Sequence, residues 1–240
     1  MPNPFVQKLG RYASLSDEDT RLLESACRDT RRTAARRDLI REGDPPGPVF
    51  VMLEGWACRY KLMREGGRQV LALLMPGDFC DMHVAVLDEM DHSIGTLTPA
   101  LYTEIPRERM ETLIASSPAL TRAFWIAQLV DEGVLRAWIV SMGRRDSTER
   151  LAHLMCELYI RARNVGLCID GHCEMPLTQI VIADALGLTP VHVNRVLRKL
   201  KVAGAMELGR GTLHIRDVES LARIAGFDDN YLHRRLKLAA

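Results

Sequence analysis

The stretch L-T-Q-I-V-I-A-D-A-L-G-L-T-P-V-H-V-N-R-V-L-R-K-L-K, residues 177–201, contains the strongest structural signal in this chain. It predicts two helices joined by a tight turn. Thr178 and Thr189 are suitable N-caps, and Pro190 suits the first turn of the second helix, where no backbone donor is needed. Gly187 lies where the chain must turn sharply, which favours a residue that tolerates positive φ. The pattern is typical of a helix-turn-helix.

Aliphatic residues at helical spacing predict the buried faces of the two helices. They are Ile180, Ala183 and Leu186 in the first helix and Val193, Val196, Leu197 and Leu200 in the second. Residues 189–202 contain four Lys or Arg and no Asp or Glu, although the whole chain has a net charge of only +1. Positive charge concentrated in one helix is what a DNA-contacting surface requires. An ordinary helical hairpin is the alternative interpretation.

Residues 206–215 form two short apolar runs around the sequence Gly-Arg-Gly, which predicts a β-hairpin. A hairpin that follows a recognition helix is a wing. Arg210 at its tip would contact a DNA phosphate, and the alternative is an ordinary solvated turn residue.

The composition describes an ordinary globular protein. The chain has 240 residues, enough for one or two domains, and it is 47% hydrophobic and 26% charged. No apolar run approaches the length that spans a bilayer, and the first residues lack the apolar core of a signal peptide. We therefore expect a cytoplasmic protein without a membrane partner. In that compartment the six scattered cysteines should be reduced thiols.

Residues 33–115 alternate short apolar runs with glycine turns. The runs at 49–53, 56–60, 70–74 and 94–105 predict closely spaced strands of a small β-barrel or sandwich. Before them, residues 16–26 combine an N-cap serine, acidic residues in the first turn and an apolar face, which predicts a short helix.

Ser117 and Pro118 begin a long segment that is apolar on nearly all sides. A helix of that kind must be buried on more than one face. One face can cover the barrel, and a second copy of the same helix is the simplest cover for the other. Burial within a larger monomer is the alternative. The residues predicted at the dimer interface are Phe124, Ala127, Val130, Val134 and Trp138.

The remaining segments predict the C-terminal domain. Residues 143–146 interrupt the apolar pattern, and residues 146–149 resemble a capping box for a helix from Ser147 to about Arg163. Residues 168–173 predict a hairpin that turns at Asp170 and Gly171. The predicted domains are a barrel at 1–116, a dimerisation helix and hinge at 117–145, and a winged helix-turn-helix domain at 146–240.

This order of elements resembles the Crp/Fnr family of bacterial transcription regulators. The matching stretches cover almost the whole chain: LIREGD at 39–44, VFVMLEG at 49–55, PGDF at 76–79, RLAHL at 150–154, and residues 177–200. The resemblance implies an α+β fold with an N-terminal double-stranded β-helix or jelly-roll sensor barrel, a long central dimerisation helix and a C-terminal winged helix-turn-helix domain. It also implies a homodimer that binds a palindromic site in double-stranded DNA and works with RNA polymerase.

The resemblance also assigns roles within the second helix. An arginine that commonly reads guanine falls on Arg195, whose guanidinium can donate two hydrogen bonds to that base. A glutamate that often lies four positions earlier falls on Val191, which leaves the base sequence of the site open. The full predicted set of DNA-contacting residues is Thr178, Thr189, Val191, His192, Asn194, Arg195, Arg198, Lys199, Lys201 and Arg210.

The barrel lacks the ligand residues of the family's cyclic-AMP binders. The glutamate for the ribose falls on Met82, the arginine for the phosphate falls near His92, and Asp91 adds negative charge. Cys27 stands alone in the region where oxygen-sensing relatives hold an iron–sulfur cluster. We therefore predict neither cofactor, and the effector remains unidentified. The predicted effector-pocket residues are Cys80, Asp81, Met82, His83, His92 and Ser93.

No metal site is predicted, because no residue spacing matches a metal motif. The thiol and imidazole groups near the pocket could ligate a metal or haem, but packing of the barrel mouth is the preferred interpretation. Cys168, His172 and Cys173 on one turn do not complete a tetrahedral zinc site. Catalytic motifs are also missing, which argues against an enzyme. Three classes remain: a sequence-specific transcription regulator, which is favoured, a ligand sensor whose winged domain binds mainly a protein partner, and an enzyme with a regulatory barrel, for which no site is found.

Overall fold

The structure, a computed structural model, describes residues 3–80, 82, 87–169 and 171–233. The chain divides into two compact units, residues 1–129 and 130–240, and one long helix contributes residues to both. Within the described ranges no single helix is long and apolar enough to cross a membrane, although two sharply bent helix pairs reach that length and composition.

The N-terminal unit contains two four-stranded antiparallel sheets in its described part. Their strand orders are β1-β8-β3-β6 and β2-β7-β4-β5. The strands are β1 (Thr30–Thr33), β2 (Asp38–Ile40), β3 (Val49–Glu54), β4 (Ala57–Leu62), β5 (Arg68–Leu74), β6 (Phe79–Cys80), β7 (Ser93–Thr96) and β8 (Ala100–Ile105). Both sheets contribute to one apolar cluster, which includes Met52, Leu74 and Ile94. The predicted jelly-roll barrel is confirmed, and the run at 94–105 is two strands rather than one.

Four helices accompany the barrel: α1 (Pro4–Leu9), α2 (Asp17–Ala26), α3 (Arg107–Ala115) and α4 (Pro118–Arg144). The Pro-Gly-Asp-Phe turn at 76–79 fixes α1 against the sheet. Gly77 has φ of 91°, and a Cβ there would lie 2.6 Å from the Pro4 carbonyl oxygen. Asp78 accepts a hydrogen bond from Lys8 Nζ at 2.7 Å. This turn therefore requires glycine for close approach and aspartate for a buried ion pair.

Helix α4 buries within the monomer the face that was predicted for dimer contact. Phe124 is fully buried, and its ring packs at 5.5 Å from that of Phe79 and at 6.0 Å from that of Phe5. Ala127 belongs to the same N-terminal core. In the second half of α4, Val130, Val134 and Trp138 are at most 9% exposed. All five residues are therefore buried within the monomer rather than presented to a second chain.

The C-terminal unit combines helices with a four-stranded sheet of order β11-β12-β10-β9. Its elements are α5 (Ser147–Asn164), β9 (Cys168–Ile169), β10 (His172–Glu174), α6 (Gln179–Leu186), α7 (Pro190–Val202), β11 (Met206–Gly209), β12 (Thr212–Ile215), α8 (Val218–Ala225) and a 3₁₀ turn (Asp229–Leu232). The two predicted hairpins are present, and pairing of β10 with β12 joins them into one sheet. The helix-turn-helix and wing follow the prediction.

Two details of this unit correct the sequence interpretation. Cys168 and Cys173 face each other across β9 and β10 and form a disulfide, whereas reduced thiols were expected. Antiparallel pairing of β9 with β10 brings the two cysteines together, and this proximity depends on the hairpin rather than on the cellular compartment. Ile180, predicted on the buried face of α6, is 60% exposed. The buried positions of α6 are Val181, Ile182, Ala183, Ala185 and Leu186.

A buried polar network lies inside the C-terminal unit. The fully buried Glu157 of α5 accepts hydrogen bonds from Trp138 Nε1, Tyr231 Oη and Arg161 Nη1, each at 3.1 Å. Burial raises the pKa of the Glu157 carboxyl, and Arg161 opposes that shift. His153 stacks on Tyr231 with ring centroids 5.8 Å apart. Burial, assisted by Arg145, lowers the pKa of His153 to about 4.

Candidate nucleic-acid interface

Local capping fixes the two helices of the helix-turn-helix. Thr178 Oγ1 accepts from the Val181 N–H at 3.3 Å, and Thr189 Oγ1 accepts from the His192 N–H at 3.2 Å. Gly187 ends α6 with φ of 62°, the left-handed conformation that a helix C-terminus favours. The two predicted threonines therefore act as N-caps.

Arg150 holds the helix-turn-helix against the preceding helices, a role that the sequence analysis did not assign. Its guanidinium donates to the carbonyl oxygens of Leu186 at 2.7 Å, Arg145 at 3.1 Å and Met142 at 3.2 Å. These carbonyls lie at or just beyond the ends of α6 and α4, where no intrahelical donor remains. One side chain thus satisfies the ends of two helices and fixes the angle at which α6 and α7 are presented.

The outer side of α7 forms an open concave surface. Its lining residues are Gln179, Pro190, Val191, Asn194, Arg195 and Arg198. The guanidinium groups of Arg195 and Arg198 are exposed and have no hydrogen-bond or ion-pair partner within the described ranges. Four of the predicted DNA-contacting residues therefore share one surface, and Gln179 and Pro190 join them. We call these six residues the recognition surface.

Three other predicted residues of α7 are held by the protein itself. His192 shares a 2.8 Å hydrogen bond between its Nε2 and Ser147 Oγ, and Lys199 Nζ donates to Thr148 Oγ1 at 3.1 Å. Lys201 forms an ion pair with Glu207 of β11. His192 and Lys199 are therefore directed towards the first turn of α5, and Lys201 towards the wing.

Arg210 lies at the tip of the wing, where the sequence placed it. It is exposed and has φ of 53°, an uncommon conformation for a residue other than glycine. Gly209 and Gly211 flank it, which leaves its side chain free of neighbouring Cβ atoms.

The predicted effector-pocket residues have separate surroundings. Cys80 is buried in the cluster between the two sheets, and Met82 packs against the other apolar cluster of the N-terminal unit. His92 Nδ1 lies 2.6 Å from Asp91 Oδ1, and Ser93 Oγ accepts from the Glu42 N–H at 2.9 Å. Asp81 and His83 lie outside the described residues.

The described part of this region does not fit a cyclic phosphate well. Such a ligand needs a cation or several donors. The hydrogen bond with His92 lowers the pKa of Asp91, which keeps that carboxylate charged. Arg59, a cation that the sequence analysis overlooked, directs Nη2 to the Phe79 carbonyl oxygen at 3.5 Å. Among the described residues, no group of three or more His, Cys, Asp or Glu side chains could hold a metal ion.

Comparison with protein families agrees with both units. A family model described as a cyclic nucleotide-binding domain matches residues 30–117, and one described as a Crp-like helix-turn-helix domain matches residues 149–224. The chain is 29% identical over 188 residues to the nitrogen fixation regulation protein FixK of Bradyrhizobium diazoefficiens, covering 75% of this chain and 76% of that protein. It is 26% identical to the transcriptional activator protein FnrL of Cereibacter sphaeroides, covering 82% and 80%.

Solved structures show the same fold. The structure of FixK2 from Bradyrhizobium japonicum superposes with a TM-score of 0.73 at 21% identity, covering 83% of this chain and 98% of that one. A CooA mutant from Carboxydothermus hydrogenoformans gives a TM-score of 0.67 at 20% identity, covering 91% and 94%. The FixK and FnrL relatives are described as a regulation protein and a transcriptional activator, not as enzymes. The chain belongs to the Crp/Fnr family of transcription regulators, with a cyclic-nucleotide-binding-type barrel and a DNA-binding helix-turn-helix domain.

Proposed function

We propose that this regulator binds a palindromic site in double-stranded DNA as a homodimer. The observation that carries the proposal is the recognition surface on α7. Its two arginines are exposed and unpaired within the described ranges, beside an amide side chain that can bond to base edges. A surface that held a protein partner would be expected to centre on large apolar side chains, and this one does not.

The exposed face of α4 supports the homodimer. Leu135, Ile139 and Met142 follow one another at helical spacing and are 45%, 72% and 38% exposed. The first half of the helix exposes Trp125 and Leu129, at 66% and 48%. Apolar side chains repeated along one helix face favour a partner helix, and two-fold pairing of identical chains is the commonest arrangement. As the proposed dimer interface, this exposed face of α4 replaces the buried face that the sequence analysis had assigned to that role.

A two-fold dimer would present two copies of α7 to one side of a DNA duplex. Recognition helices of such dimers occupy successive major grooves about 34 Å apart. The two half-sites would then be inverted repeats. We also propose contact with RNA polymerase, because two of the relatives are described as transcriptional activators. The cytoplasmic location expected from the sequence is part of the same proposal. No cofactor is proposed, and the effector is a small molecule other than cyclic AMP, or none.

Sedimentation of Ile139→Asp tests the dimer. We expect wild type to sediment as a dimer at micromolar concentration. The variant should dissociate about a hundredfold more readily, since an unpaired carboxylate in an interface costs several kcal/mol. Ile169→Asp is the matched control, because Ile169 is 73% exposed and lies on the β9–β10 hairpin. That control should remain dimeric.

Two results would contradict the proposal. A wild-type chain that sediments as a monomer at micromolar concentration rules out the homodimer. Equal dissociation of the Ile139 and Ile169 variants would mean that α4 does not supply the interface.

A further inference from the structure

The N-terminal turn of α7 carries an apolar side chain where the protein would face base edges. Val191 is 73% exposed and lines the recognition surface together with Asn194 and Arg195. A single exposed valine elsewhere on a protein needs no explanation. At this position it faces the same way as Arg195, because residues four apart lie on one side of a helix.

We propose that Val191 selects a thymine in each half-site by packing against the thymine C5-methyl group. This inference rests on the proposed function. Valine has no hydrogen-bond donor or acceptor in its side chain, so it cannot read the polar atoms of any base. In the major groove the only apolar group that distinguishes one base pair from another is the thymine methyl. Valine therefore discriminates by that methyl or not at all.

The helix geometry places this thymine near the guanine contacted by Arg195. Four residues of an α-helix rise about 6 Å along its axis. Successive bases on a strand are about 3.4 Å apart. Val191 and Arg195 therefore contact bases about one or two steps apart, on the same strand or on opposite strands. Each half-site should contain a T·A pair within that distance of an essential G·C pair.

The surroundings of Val191 hold its side chain in place before DNA binds. Its branched Cβ restricts χ1 to essentially one rotamer in a helix, so little freedom is lost on binding. The neighbouring His192 is held by Ser147 at 2.8 Å, which fixes the first turn of α7 and leaves the outer position to Val191. Since Val191 contributes nothing to the buried core, replacing it should leave the fold intact.

The test begins with a site selected from random duplex DNA by the full-length wild-type protein. Each thymine within two steps of the essential guanine is then replaced in turn by deoxyuridine, which lacks only the C5-methyl group. At one thymine position of the half-site, a single replacement should weaken wild-type binding about fourfold, the factor that corresponds to about 0.8 kcal/mol for one buried methyl-sized group.

Variants of Val191 identify the side chain responsible. Val191→Ala should bind the thymine and deoxyuridine sites within about twofold of each other. Val191→Glu should prefer cytosine at that position, because a carboxylate accepts a hydrogen bond from the cytosine amino group. Val202→Ala is the matched control, since Val202 is a valine of the same helix that is 83% exposed and lies at its far end. It should keep the wild-type ratio.

Three outcomes would overturn the inference. A selected site without thymine next to the guanine contradicts it directly. An unchanged thymine-to-deoxyuridine ratio in Val191→Ala would assign the methyl effect to DNA shape. An equal loss in Val191→Ala and Val202→Ala would remove the positional argument. Failure to enrich any site would instead overturn the proposed function, and the two failures are therefore distinguishable.

Discussion

The two units treat their polar side chains differently. In the C-terminal unit, the groups that hold the fold are buried, as with Glu157 and His153, and Arg195 and Arg198 are directed outward. In the N-terminal unit, His92 is paired with Asp91 and Ser93 with the backbone of Glu42. The C-terminal unit thus separates groups that stabilise from groups available for binding, whereas these two described polar groups of the barrel are engaged within the protein.

The buried His153 should make the stability of the protein depend on pH. His153 has a folded-state pKa of about 4 against an ordinary value of 6.5, because burial disfavours its charged form. As pH falls below about 6.5 the unfolded chain takes up a proton that the native unit resists. The free energy of unfolding should therefore fall between pH 6.5 and 4, by on the order of 3 kcal/mol from this group. Urea unfolding at several pH values measures it.

His153→Phe keeps a ring beside Tyr231 but cannot titrate. Its unfolding free energy should lose correspondingly less between pH 6.5 and 4. If the unfolding free energies of the variant and of wild type depend equally on pH, His153 is not held in its neutral form by burial.

The smallest effect is expected when cyclic nucleotides are added to the protein, because we predict that the barrel does not bind them. Calorimetry with cyclic AMP or cyclic GMP should detect no binding up to about a millimolar, a limit near −4 kcal/mol. The reason is that His92 is already engaged by Asp91, whose carboxylate would repel a cyclic phosphate. A micromolar dissociation constant for either nucleotide would show that the barrel does hold groups available for binding.

Much of the C-terminal unit could be predicted because its signals are local. Thr189, Pro190 and Gly187 each specify a backbone conformation at their own position, and the structure confirms all three. The partners of His192 and Lys201 could not be predicted. Ser147 is distant in sequence, and Glu207 meets Lys201 only because β11 folds back beside α7.

Helix α4 shows why a uniformly apolar segment gives an ambiguous prediction. Phe124 and Trp125 are adjacent and both apolar, yet one is fully buried and the other is 66% exposed. Periodicity cannot choose between faces that are equally apolar. The choice comes from the packing of Phe5 and Phe79 against Phe124, which depends on the tertiary fold.

The central claim is that the outer face of α7 makes sequence-specific DNA contacts through Arg195. It is tested most directly by measuring the affinity of Arg195→Ala for the selected site and for random DNA at fixed salt. Arg223→Ala, an exposed arginine of α8 in the same unit, removes the same charge and serves as the control.

We predict that Arg195→Ala loses on the order of 1–3 kcal/mol of affinity per half-site for the selected sequence, because two hydrogen bonds to guanine are lost. Binding to random DNA should change little, and Arg223→Ala should retain its preference for the selected site. Wild-type specificity in Arg195→Ala, or the same loss in both variants, would contradict the account.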